Sequence, residues 1–172
     1  MAHELLETLD TAGTPAGLVP RDRVHADGLW HRAVHVWVVA PSGWIYVQRR
    51  STHKDLNPDL WDVSVGEHLQ PGEDYRDAAH RGLAEELGIA VDHLEPLSGE
   101  RWISVDHPSH GTRDCEVQQA FRTVTEATPS PAEDEIAELR LISPAELQAW
   151  IRDAPAELTR GFHRDVADLG VL

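Results

Sequence analysis

The chain has 172 residues, enough for one well-buried domain and short for two ordinary ones. With 15 Lys plus Arg against 30 Asp plus Glu, the net charge of -15 disfavours loose binding to a nucleic-acid polymer or an anionic membrane, so a phosphate substrate would need a metal bridge or a local basic patch. A single cysteine, Cys115, excludes an intrachain disulfide, and with no basic-then-apolar N-terminal run and no long apolar segment the expectation is a cytoplasmic protein.

In chain order, Glu4 to Asp10 reads as a short strand, and Thr14-Pro15-Ala16-Gly17 punctuates it before a second element near Val19. Together they predict a small β appendage over residues 1–30. From Ala33, the runs AVHVWVVA and WIYVQRR flank Pro41-Ser42-Gly43, the pattern of a β-hairpin whose strands are apolar enough to be central. Asn57-Pro58 leads to a strand over Trp61 to Val65, and then to a glycine-rich turn that opens the stretch from Gly66 to Ile89, GEHLQPGEDYRDAAHRGLAEELGI. Leu94 to Val105 and Glu116 to Thr125 read as strands around the loop DHPSHGTRDC, which carries His107 and His110. Pro129 and Pro131 mark the next loop and Ile136 to Ile142 a further strand; Ser143-Pro144-Ala145-Glu146 opens a helix with Ser143 as N-cap, and a break follows near Pro155. Strands in the middle and helices at the end give an α+β class, a mixed sheet covered by helices. The expected organisation is one domain over 1–172, with a core over 31–142 and C-terminal helices over 143–172.

Asp74 is a suitable N-cap and Gly88 a suitable C-terminal stop for a helix of about three to four turns. On its wheel Ala79, Leu83 and Leu87 form an apolar stripe, while Arg81, Gly82, Glu85 and Glu86 fall mostly on another face. An ordinary pair of glutamates on such a face is solvated. Clustered glutamates also repel each other unless a cation neutralises them, and hard oxygen ligands suit Mg2+ or Mn2+.

The stretch resembles the signature box of the Nudix hydrolases, in which Gly, five residues, Glu and seven residues precede Arg-Glu-aliphatic-X-Glu-Glu-X-Gly-aliphatic. Glu73, Arg81, Leu83, Glu85, Glu86, Gly88 and Ile89 match in register, and the likeness extends over flanking segments from about Trp30 to Leu147. Two positions depart: Glu67 stands where the box opens on glycine, and Gly82 follows the arginine where a glutamate is usual. The resemblance implies a mixed sheet between helices and water attack on a phosphorus of a small nucleotide, a nucleoside di- or triphosphate. It implies Glu85 and Glu86 as metal ligands and Glu73 with Arg81 as a supporting pair. Gly82 removes one carboxylate and costs about 1 kcal/mol of helix stability relative to alanine. Adaptation, loss of turnover and an introduced change are all consistent with it. The third carboxylate would come from Glu67, Glu116 or Glu135, and Gly82→Glu is expected to strengthen metal binding.

Within that superfamily the run WDVSVGEHLQPGE is similar to isopentenyl-diphosphate isomerases and their hydrolase-like relatives. Those isomerases carry a catalytic cysteine where Gly66 stands, while His68 keeps their histidine. Their metal site implies a second cluster here, His25, His31, His68 and Glu116, for which imidazoles would favour Zn2+ or Mn2+. Partly buried, satisfied histidines are the ordinary reading of such positions in a chain with 11 of them. Candidate catalytic residues are thus Glu85, Glu86, Glu116 and Glu135, and candidate metal ligands Glu67, Glu85, Glu86, Glu116, His31 and His68. Arg49, Arg50 and Lys54 are candidates for phosphate and Trp102 for stacking on a base. Monomer and homodimer are both open.

Overall fold

The computed structural model describes residues 4–107 and 111–171. His110 lies outside them. At the centre is strand β3 (Trp30–Val39), whose apolar run alternates between two faces as a period of two requires. Val34, Val36 and Val38 point into one core cluster, and Trp37 and Val39 into another on the opposite side.

The parallel partner of β3 along its whole length is β9 (Thr112–Val124), from Trp30↔Cys115 to Val39↔Val124. Its other edge is shared by three strands in succession. These are β1 (Leu5–Leu9) at Thr8↔His31, β6 (Val65–His68) from Ala33↔His68 to Val36↔Val65, and β4 (Ile45–Arg50) at Val39↔Ile45. The expected β3–β4 hairpin therefore forks after a single pair. Ser64 fills the fork: its Oγ accepts from Val38 N at 2.8 Å and donates to Tyr46 O at 2.5 Å, which satisfies backbone groups that would otherwise be buried alone. Gly66 lies inside β6 rather than in the expected turn, and the αL glycine of that turn is Gly72 at φ 78°.

Helix α2 (Tyr75–Leu87) covers the Val34 face through Ala78, Ala79, Leu83 and Leu87. Helices α3 (Pro144–Asp153) and α4 (Arg160–Leu169) cover the other through Leu147 and Phe162, joined by a 3-10 turn (Pro155–Glu157) at the expected break. Caps fix the ends as read: Asp74 accepts from Asp77 N, Ser143 and Glu146 form a reciprocal capping box, and Gly88 is left-handed. The remaining strands are β2 (Pro15–Pro20), β5 (Trp61–Asp62), β7 (Glu95–Pro96), β8 (Arg101–His107) and β10 (Ile136–Ile142). Strand β8 starts later than expected, because Pro96 and Gly99 interrupt it. It also runs on to His107 because it pairs with β9 down to His107↔Thr112. Among the described residues no helix is long and apolar enough to cross a membrane.

The expected N-terminal β appendage is a two-stranded hairpin, β1 with β2. The β1–β2 hairpin extends the main sheet through β3, and a helix α1 (Arg21–Asp27) follows it. That helix buries Val24 and His25, too short an apolar pattern to be legible beforehand.

Candidate active site

The sheet, α1, α2 and the start of α4 enclose a cavity of about 480 Å³, whose walls include Gly66, Glu67, His68, Glu85, Glu86 and Glu116. Arg81 organises the α2 side. Its Nε and Nη2 donate to the two carboxylate oxygens of Glu73, both at 2.9 Å, in a bidentate pair, and Nη2 also donates to His68 O at 2.7 Å. Nη1 lies 3.1 Å from Glu67 Oε2 and 3.2 Å from Glu85 Oε2. The guanidinium thereby ties turn, strand and helix together, and holds the Glu73 carboxyl below its ordinary pKa.

The two glutamates of the pair have different surroundings. Glu85 is 60% exposed at the cavity mouth, whereas Glu86 is 6% exposed and accepts from Gln48 Nε2 at 3.0 Å. Burial, with the charge of Glu67 beside it, pushes Glu86 up to about 8. Burial also raises Glu67. Glu67 and Glu85 both reach Arg81 Nη1, Glu86 lines the same cavity, and carboxylate oxygens are the donor type that suits Mg2+ or Mn2+.

Gly82 is packed, not vacant. A Cβ there would lie 2.8 Å from Val65 Cγ1 and 3.2 Å from Glu67 Cβ, so a glutamate at this position cannot simply be added to the helix. The expected gain in metal binding from Gly82→Glu would therefore require Val65 to move.

A second group of ligand atoms sits beside the first. His25, His31 and His68 bring ring nitrogens within 4.8 Å of one another, and His31 does the same with Asp114 and Glu116. His25 Nδ1 donates to Asp55 Oδ2 at 2.8 Å and His31 Nδ1 to Leu29 O at 3.1 Å, which turns the Nε2 of each ring inward. Those two Nε2 atoms and Asp114 Oδ1 are buried without a hydrogen-bond partner. Burial keeps His31 below its ordinary pKa and, with His31 alongside, drives His68 well below it, so both rings are neutral. Burial and then Asp114 lift Glu116 to about 8. Neutral imidazoles oriented from behind, with unsatisfied atoms facing each other, fit a divalent transition ion.

Several residues here were not singled out in the sequence. Asp114 joins the imidazoles, and Gln48 supports Glu86. His35, the register partner of Gly66, lies against it and is held by Asp165 of α4 at 2.8 Å. Burial alone would lower His35, but the Asp165 carboxylate lifts it to about 9. A polar residue inside the run AVHVWVV was the available signal for His35, as it was for Gln48 inside IYVQRR; nothing local marked Asp165.

The basic residues divide. Arg50 faces the cavity, with Nη1 at 3.2 Å from Asp62, and Lys54 is there too, paired with Glu135. Arg49 does not, because alternation along β4 turns it outward to Asp59 and Glu138. Trp102 is likewise misplaced as a base platform. It is 42% exposed on the outer face of β8, packed on Trp30 with ring centroids 4.7 Å apart. Cys115 is buried beside Ser104 and outside the cavity wall.

Residues 29–162 match the NUDIX domain. The isopentenyl-diphosphate Delta-isomerase of Nocardia farcinica is 34% identical over 155 residues, covering 90% of this chain and 87% of its own. An uncharacterized Nudix hydrolase of Pseudomonas aeruginosa is 34% identical over 150 residues, covering 84% and 85%. The crystal structure of DR0079 from Deinococcus radiodurans superposes with a TM-score of 0.72 at 27% identity, covering 96% of each chain.

Proposed function

The chain belongs to the NUDIX domain family, and we propose that it is a divalent-metal-dependent hydrolase that cleaves the diphosphate linkage of a small nucleotide by water attack on phosphorus. The observation that carries this reading is the Arg81 hub, which gathers Glu73, Glu67 and Glu85 at a cavity into which buried Glu86 also projects. Glu85 and Glu86 would hold Mg2+ or Mn2+. Such an ion supplies charge neutralisation at phosphate oxygens and a lowered pKa for bound water. Glu73 and Arg81 fix the helix against the turn, so the carboxylates are positioned before substrate arrives. Arg50 and Lys54 face the same cavity and would bind phosphate oxygens, and Glu116 and Glu135 are the further carboxylates available for proton transfer. A cytoplasmic location fits a small nucleotide substrate. The test is phosphate release from a panel of nucleoside di- and triphosphates with Mg2+ or Mn2+; turnover unchanged in Glu85→Gln plus Glu86→Gln would overturn the reading.

The imidazole cluster favours a second reading, an enzyme similar to isopentenyl-diphosphate isomerase, as the Nocardia farcinica relative is named. Against it stands Gly66, which offers no thiol where the isomerases carry one, and Cys115 lies outside the cavity wall. Incubation with isopentenyl diphosphate separates the two, since an isomerised diphosphate would revive the second. Tight metal-dependent nucleotide binding without turnover would instead mark a binding module.

A further inference from the structure

The two departures of the box, Glu67 and Gly82, belong to different elements, yet they meet. Glu67 lies in β6 and Gly82 in the middle of α2, and a Cβ built on Gly82 stands 3.2 Å from Glu67 Cβ and 3.5 Å from its Cγ. Side chains at the two positions would start in the same space, so a glutamate at 82 would crowd Glu67 as well as strike Val65 Cγ1 at 2.8 Å. In this chain the strand has the glutamate and the helix has the glycine.

We infer that the exchange is reciprocal: Glu67 supplies from β6 the carboxylate that helix position 82 lacks, making Glu67, Glu85 and Glu86 the divalent-cation group. The inference rests on the metal reading above and names the residue that completes it. Glu67 is built for the task. Its Oε1 accepts from His68 N at 2.9 Å, and its Oε2 shares Arg81 Nη1 with Glu85. One carboxylate is thus anchored to its own strand and aimed at the guanidinium it shares with Glu85 of the helix. Of the other two candidates, Glu135 pairs with Lys54 and not with the arginine that Glu67 and Glu85 share, and Glu116 lies with His31 and Asp114. Gly82 is then the residue that the packing of Val65 and Glu67 requires, and it carries no implication of lost activity.

The experiment is calorimetric titration with Mg2+, which imidazole sites bind poorly, on the full chain, with the melting temperature of each variant recorded alongside. Glu67→Gln is isosteric, so the expected result is a melting temperature close to the parent and Mg2+ affinity at least about 10-fold weaker, since loss even of a group that only supports a ligand costs about 10–100-fold. A second series is made on Val65→Ala, which removes the Cγ1 that a Cβ at position 82 would strike at 2.8 Å. There Glu67→Gly should lose Mg2+ affinity, and Glu67→Gly with Gly82→Glu should recover it. Undiminished affinity in Glu67→Gln while Glu86→Gln loses it would overturn the exchange and leave the metal reading standing. Undiminished affinity in both would remove the metal reading itself. If the double exchange does not fold, Glu67→Gln decides alone.

Discussion

His35 and Asp165 are 130 positions apart, and their Nδ1 and Oδ2 atoms meet at 2.8 Å in the interior. The same carboxylate also receives Trp37 Nε1 and Arg101 Nη2, so α4 is fastened to the sheet by one buried anion. Asp165 lifts His35 from 6.5 to about 9 against the opposing effect of burial. A histidine raised in the folded state gives stability that is complete below 6.5 and is lost as pH rises through about 9. Glu86 and Glu116, raised to about 8, add a decline of the same sign above about 4.5 in metal-free protein. The test is therefore the difference between parent and His35→Gln in urea unfolding at pH 6 and pH 9. The parent should lose roughly 2–3 kcal/mol more than the variant over that interval, and parallel curves would refute the pair.

Gly82 sits in a helix interior, where alanine would ordinarily gain about 1 kcal/mol. Its Cβ would meet Val65 Cγ1 at 2.8 Å, and Val65 is fully buried with a short, stiff side chain. Overpacking of this kind costs about 1–3 kcal/mol and exceeds the propensity gain. Gly82→Ala should lower stability by roughly 1 kcal/mol in denaturant unfolding, and a rise would show that strand and helix separate freely.

Legibility followed the range of the interactions. The ends of α2 and α3 were readable because Asp74, Gly88 and Ser143 act on backbone a few residues away. The apolar β3 and the Glu73–Arg81 pair were readable because the first is one alternating run and the second lies within one box motif, eight residues apart. Helix α1, which carries His25, was not, since it is a seven-residue segment with two buried residues, and neither was the hold of Asp165 on His35, which joins residues 130 positions apart. Adjacent Arg49 and Arg50 carry the same chemistry, and only the strand's orientation sends one out and one in. The packing of Gly82 on Val65 is a contact between elements, so composition recorded a missing charge where the fold records a close approach.

Arg81 makes two parallel bonds to Glu73, one to His68 O and further contacts to Glu67 and Glu85. A lysine ammonium keeps the charge but cannot span that fork. Arg81→Lys should cost about 1–3 kcal/mol of stability and lower nucleotide turnover at least tenfold by loosening Glu67 and Glu85. Thermal unfolding and the phosphate-release assay measure the two effects, and parent-like values in both would reduce the hub to a surface charge.

The imidazole cluster makes its own prediction. The Nε2 atoms of His25 and His31 have no hydrogen-bond partner, and His31 belongs both to the group with His25 and His68 and to the group with Asp114 and Glu116, with Asp55 and Leu29 O holding the rings of His25 and His31 from behind. An ion that binds only the folded chain stabilises it by mass action, by about 2.7 kcal/mol at a hundredfold excess over Kd. Zn2+ or Mn2+ should therefore raise the melting temperature of the parent and do so much less in His31→Ala. Because burial keeps His31 and His68 below 6.5, protons compete weakly, and the stabilisation should persist as pH falls through that value. Equal shifts in parent and His31→Ala would sink the assignment and return these rings to a packing role.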